Sequence, residues 1–265
     1  DEGTVNFAVD PLTNRYTSIA GRPLSYDAAG NLTQDKDGYQ FTYDYENRIV
    51  EIQDDTDSPV AAFDYDTQGR RIRVCDAVAD STTLYYYSDN WQVLSTYVGG
   101  SLDKSFVYGN YIDEVLVMNQ GANDYFYLHD HLYSPTALLD NSGSVIERYE
   151  YDAYGKMTRL NPDFTAFSGT DGNWLTEDGT TINTSAVGNP YLFTARRWDF
   201  YTQLYYYRFR DYSPLIGRFL QPDPLGTIDG LNPYAYVNNN PLNWLDPWGL
   251  KTILGIHAGV GHAWI

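Results

Sequence analysis

Apolar residues along this chain come in short bursts that alternate with polar ones, and each burst is closed by Gly, Asn, Asp or Pro. Thr83-Leu84-Tyr85-Tyr86-Tyr87, Ser105-Phe106-Val107-Tyr108, Tyr125-Phe126-Tyr127-Leu128 and Ser144-Val145-Ile146-Glu147-Arg148-Tyr149 are examples. A two-residue period of this kind predicts half-buried β-strands joined by tight turns. The stretch from Asn161 to Gly188 breaks the pattern: it is polar, rich in Gly, Thr, Asn and Asp, and reads as a loop or hairpin excursion.

The alternation carries an internal repeat, in which an aromatic or polar residue, Tyr and Asp are followed by Gly or Asn and then by a return strand. Copies are Leu24-Ser25-Tyr26-Asp27-Ala28-Ala29-Gly30-Asn31-Leu32, Thr42-Tyr43-Asp44-Tyr45-Glu46-Asn47-Arg48-Ile49 and Asp64-Tyr65-Asp66-Thr67-Gln68-Gly69-Arg70-Arg71-Ile72. A fourth is Glu150-Tyr151-Asp152-Ala153-Tyr154-Gly155-Lys156-Met157, and a degenerate one runs from Arg210 through Asp211-Tyr212 to Gly217-Arg218-Phe219. Each reads as a hairpin: Tyr ends a strand, Asp opens the turn by accepting from amides ahead of it, and Gly or Asn takes the positive-φ position. The early copies recur about every 20 residues, and one hairpin cannot bury its own face, so the units must stack into a continuous sheet.

Composition sharpens this picture. The chain has 265 residues, 26 of them Tyr, with 22 Gly and 12 Pro spread between the apolar runs, which favours an all-β fold. The formal charge of −18 argues against nucleic acid or an anionic membrane as the partner of this segment, since both need a basic footprint. Cys75 is the sole cysteine, which excludes an internal disulfide. No run reaches the about 18 apolar residues of a membrane span. The chain begins at Asp1 without a signal peptide, so its start is expected to be a cut within something longer.

With these motifs in place the chain resembles the Rhs (rearrangement hot spot) family of YD-repeat proteins, whose relatives include the C components of insecticidal Tc toxins and the teneurins. Leu128-His129-Asp130-His131-Leu132 with Ser134-Pro135-Thr136-Ala137-Leu138 resembles the stretch before the family's core domain. Tyr191-Leu192-Phe193-Thr194-Ala195-Arg196-Arg197 with Leu204-Tyr205-Tyr206-Tyr207-Arg208 resembles the start of that domain, and Asp223-Pro224-Leu225-Gly226 and Asp246-Pro247-Trp248-Gly249-Leu250 resemble the paired motifs that close it. The resemblance implies YD-repeat hairpins in a spiralling β-sheet shell, a cocoon closed by a core-domain plug. It implies a shell segment over residues 1–160, a polar insertion over 161–188, the core domain over 189–250 and the start of a variable cargo over 251–265.

Candidate chemistry lies in the paired motifs. An isolated Asp-Pro-x-Gly is an ordinary turn. Two copies, Asp223 and Asp246, 23 residues apart, bring in another possibility, because neighbouring carboxylates cannot both ionise cheaply and can share a proton. One then serves as base for water and the other polarises a carbonyl. The resemblance implies self-cleavage of the Leu250–Lys251 bond by Asp223 and Asp246, with Arg210 holding the pair; Arg208 and Arg218 are alternative arginines. It implies no cofactor and no metal. The chain's own C-terminal cargo is the expected partner, with a secretion or toxin-delivery apparatus, and the expected location is secreted or cell-surface after loading from the cytoplasm.

Two alternatives stand beside encapsulation with release. One is a non-cleaving structural or adhesive surface protein with inert turns, and the other is an independent hydrolase built on the aspartates or on His257 and His262. His129 and His131, two apart on a strand, share a face where a metal could sit, although the resemblance favours a turn there.

Overall fold

A computed structural model describes residues 5–165, 174–175, 181–182, 185–200, 202–228, 230–250 and 252–254. The hairpin pattern produces one dominant element, a 14-stranded antiparallel sheet in which every strand lies beside its neighbours in sequence. It runs from Ser25–Tyr26 to Met157–Leu160 without a crossover. We refer to this sheet as the wall. A three-stranded sheet (Phe7–Val9, Tyr16–Ile19, Arg22–Pro23) precedes it. After it come a two-stranded pair (Trp174–Leu175, Thr181–Ile182) and a four-stranded sheet of Arg197–Asp199, Leu204–Tyr206, Asp211–Ser213 and Arg218–Phe219. Trp244–Leu245 pairs with Ile253–Leu254.

The wall's turns follow from their aspartates. Asp44 Oδ1 accepts from the amides of Glu46 and Arg48 at 2.9 and 3.0 Å, and Asp66 Oδ1 does the same for Gln68 and Arg70. Asp152 repeats the arrangement with Tyr154 and Lys156. Asn47 and Gly69 take the left-handed position that closes each turn, at φ of 62° and 83°. Asp35, Asp54 and Asp140 close the opposite ends of the hairpins in the same way, and Asp130 closes the turn after His129, although none follows a tyrosine.

The tyrosines tie each hairpin to the one before. Tyr65 donates its hydroxyl to the carbonyl of Ile49, Tyr87 to Arg71, Tyr108 to Val93 and Tyr151 to Pro135, at 2.7 to 3.0 Å. Every one of these bonds spans 15 or 16 residues. Pairing register also shifts at the ladder positions, between Thr42 and Tyr43, Asp64 and Tyr65, Tyr86 and Tyr87, and Val107 and Tyr108. An extra residue on one strand bends it and tightens the right-handed twist. Bends therefore recur at tyrosine-marked turns, with further shifts at Ile52/Gln53, Thr96/Tyr97 and Leu138/Leu139, whereas the Tyr151 hairpin pairs without one. His129 occupies the ladder position between Tyr108 and Tyr151, with the register shift preserved at Leu128/His129.

One face of the wall is covered by residues 185–250, which form the plug. Val93, Phe106, Val115, Met118, Leu138 and Tyr149 of the wall pack on Leu192, Phe193, Trp198, Tyr205, Tyr207 and Tyr236 of the plug. A second cluster joins Phe41, Ile49, Ile52, Phe63 and Val74 to Leu204 and Leu220. Burial of this kind, about 25 cal/mol per Å² of apolar area, is what holds short irregular segments in place. Plug tyrosines also grip the wall's turns by their backbone. Tyr234 donates to Gly30 O at 2.8 Å, Tyr206 to Gly69 O at 3.3 Å and Tyr205 to Gly155 O at 2.9 Å.

Candidate functional site

The turn between Leu204–Tyr206 and Asp211–Ser213 of the plug's four-stranded sheet holds Arg210 in a buried position. Tyr207 and Arg210 are bonded across a tight turn, Tyr207 N to Arg210 O at 2.9 Å, which points the Arg210 side chain toward the two Asp-Pro motifs. Its guanidinium lies over the Phe219 ring, 3.6 Å from the centroid, and is almost wholly buried. A buried guanidinium must have its charge and its donors met. Arg210 Nη2 sits 3.0 Å from Asp223 Oδ2 and 3.3 Å from Asp246 Oδ2, so one nitrogen gathers both carboxylates. Nη1 donates to Pro233 O at 3.0 Å, and Nε donates to the carbonyl of Gly249.

The two look-alike motifs are held differently. Asp223 opens a turn near the surface: Leu225 N donates to its Oδ1 at 2.8 Å, and the Pro and Leu that follow are exposed. Gly226 has open space around it. Asp246 lies deep, and its Oδ1 accepts from Leu250 N at 3.0 Å, which curls residues 246–250 around the carboxylate. Gly249 permits this. Its φ is +69°, and a Cβ there would stand 2.6 Å from Tyr207 O. Only glycine fits that backbone at that approach.

The sequence-predicted residues thus fall as follows. Arg210, Asp223 and Asp246 come together, and Leu250 is bonded to Asp246. Lys251, the other half of the predicted scissile bond, lies outside the described residues, as do His257 and His262. Arg218 is directed elsewhere, donating to Asn14 O at 2.6 Å with its guanidinium over Tyr16. His131 bonds Leu242 O at 3.0 Å, and burial holds the His129 imidazole below its usual pKa. Among the described residues no three His, Cys, Asp or Glu side chains converge as a metal site.

Sequence reasoning passed over a second buried cluster beside the first. Arg208 and Arg196 both donate to the carbonyl of Pro247, Arg196 at 2.9 Å. Both guanidiniums are ion-paired to Asp113, Arg208 Nη2 at 2.7 Å. Burial, and then the charge of Arg208, push the Arg196 guanidinium down to about 9. Trp248 lies 5.6 Å from the Trp91 ring and has the Arg208 guanidinium 4.7 Å from its centroid. Trp91 occupies the left-handed turn position that the repeat gives to Gly or Asn, at φ of 63°. A bulky residue in that conformation is strained, and it was the available signal for this contact.

Similarity to known proteins runs the length of the chain. The Teneurin YD-shell family model matches residues 8–183. The tRNA3(Ser)-specific nuclease WapA of Bacillus spizizenii is 31% identical over 97% of the chain, and the Double-stranded DNA deaminase toxin A of Burkholderia cenocepacia is 28% identical over 86%. The chain spans 10% of the first relative's length and 17% of the second's. Among solved structures, a chain of the Photorhabdus luminescens Tc holotoxin pore superposes with a TM-score of 0.71 at 22% identity; the match covers 97% of this chain and 12% of that one. That likeness is one of fold.

Proposed function

The chain belongs to the Teneurin YD-shell family, and from that premise we propose that it forms the C-terminal wall and plug of an encapsulating shell, which sequesters a downstream effector and frees it by cutting after Leu250. The observation that carries this reading is the convergence of Asp223 and Asp246 on Arg210, with Arg210 and Asp246 also bonded to Gly249 and Leu250. The relatives support the division of labour. One is named as a nuclease and another as a deaminase toxin, yet both contain this segment as a small fraction of their length. What two proteins with different reactions share is the carrier rather than the effector.

The reaction is hydrolysis in cis. One carboxylate takes a proton from water, the hydroxide adds to the Leu250 carbonyl, and the protonated partner donates to the leaving amine of Lys251. The C–N bond breaks, leaving a carboxyl on Leu250 and an amine on Lys251. Arg210 keeps the two aspartates adjacent and offsets their mutual repulsion. No cofactor enters the scheme. The partners are the chain's own effector and a delivery apparatus that exports it.

Intact-mass analysis of the expressed protein tests the proposal: a break after Leu250 is expected, and Asp223→Asn or Asp246→Asn should each leave the bond whole. Intact wild-type protein under native conditions would overturn it. That outcome would favour the second reading, a non-cleaving surface scaffold, in which Arg210 serves only as a lock between the two turns. The lock reading has its own support in the number of acceptors that Arg210 meets.

A further inference from the structure

The wall contributes one buried charge to the neighbourhood of the proposed scissile bond, and that charge is Asp113. It stands in the turn between Ser101–Tyr108 and Val115–Gln120, 110 residues before Asp223 and 133 before Asp246. Its own backbone is committed, with Val115 N donating to Asp113 O at 2.9 Å. Its side chain leaves the wall and enters the plug, where Oδ1 and Oδ2 meet Arg208 at 2.7 and 3.3 Å and Oδ1 also meets Arg196. Those two arginines converge on a single acceptor, the Pro247 carbonyl, which lies one residue after Asp246.

Two guanidiniums aimed at one carbonyl oxygen repel each other, and in a buried site that repulsion is poorly screened. A shared carboxylate is what allows both to stay. We propose that Asp113 is a positioning residue for self-cleavage: it neutralises the Arg196–Arg208 pair that pins the Pro247 carbonyl, so the Asp246–Leu250 segment is set only when the wall has closed on the plug. This inference rests on the cleavage reading above and adds a condition to it. Cutting is licensed by assembly of the shell. A plug that has not met its wall lacks the counter-charge and does not release its effector.

Trp91 points the same way from an independent place. It comes from another wall turn, keeps a strained backbone, and sets its ring against Trp248 in the same segment. Two separate turns of the wall therefore bear on residues 246–250, one through the Arg196–Arg208 pair and one by ring contact.

The test compares cleavage rates in the full chain, read by intact mass over time, with thermal unfolding as the measure of folding. Asp113→Asn is expected to slow cleavage at least tenfold. Adding Arg196→Gln removes the surplus cation and is expected to recover part of that rate, which a merely structural loss at Asp113 would not allow. Asp113→Asn cutting at the wild-type rate, or the double variant cutting more slowly than the single one, would overturn the inference while leaving the cleavage reading intact. Wild type that never cuts overturns both. If Asp113→Asn does not fold, Arg208→Lys keeps a cation beside Asp113 but cannot bridge carboxylate and carbonyl together. It should also slow cleavage, and an unchanged rate there would equally defeat the proposal.

Discussion

Wall and plug are written in the same few residue types and use them in opposite ways. At the repeat turns of the wall, an Asp finds its partners within four residues, as Asp66 does with Arg70 at 2.6 Å, and Asp113 is the exception. In the plug, an Asp is buried and its partner is distant in sequence, as Asp211 meets Arg71 at 2.7 Å across 140 residues. The neighbours Arg70 and Arg71 show the contrast within one turn of chain: the first closes its own hairpin, the second fastens the plug. Local partners make the wall a repeating material. Distant partners make the plug a single fitted object.

Removing Arg71 is the strongest way to break this contrast. Arg71→Met strands the buried Asp211 carboxylate and the half-buried Asp199 and is expected to cost about 3–5 kcal/mol in urea unfolding, whereas Arg70→Met gives up a partly exposed pair and should cost about 1 kcal/mol or less. Equal losses would mean that the plug is not fastened there. A smaller effect is expected from the tyrosines. Tyr206→Phe orphans contacts to Gly69 O and Arg71 N in a buried seam and should cost about 1–3 kcal/mol. Tyr65→Phe, which loses one ladder bond inside the wall, should cost about 0.5–1.5 kcal/mol in the same assay.

The smallest test sharpens the comparison from within the wall. Asp35 is a turn aspartate, yet burial pushes its carboxyl up to about 6. Because the folded state holds that proton more tightly than the unfolded one, the contribution is fully present below the ordinary value of 3.8 and is lost as pH rises through about 6. Asp35→Asn should therefore flatten the stability profile between those two values. A slope unchanged by the substitution would show that other groups set it.

The wall was legible in the sequence because its determinants are local. Tyr, Asp and Gly at fixed offsets dictate a strand end, a turn and a return, and the same offsets recur at Asp44, Asp66 and Asp152. Turns at Asp35, Asp54 and Asp140 escaped because no tyrosine marks them, whereas the turn at Asp130 was expected from the family resemblance. The degenerate copy at Asp211 does form its hairpin, with Gly217 at φ of 63°, but Asp precedes Tyr there, so the carboxylate faces Arg71 instead of the turn. Arg210, Asp223 and Asp246 could be named from motif resemblance. Their neighbours Asp113, Arg196 and Trp91 could not, because long-range pairing leaves no periodic trace. The plug's backbone was equally opaque, with left-handed residues at Thr194, Ala195, Val237, Asn238 and Asn239 held by packing rather than by propensity.

Bends that recur at successive tyrosine-marked turns have a consequence for size. When curvature accrues turn by turn, the circumference of a container becomes a matter of counting. Within the sheet, whole hairpins can be added or dropped by repeating one kind of joint, since the ladder tyrosine of each bonds its immediate predecessor. Capacity can then drift over evolutionary time by duplication alone, while the closure, fitted once, stays fixed.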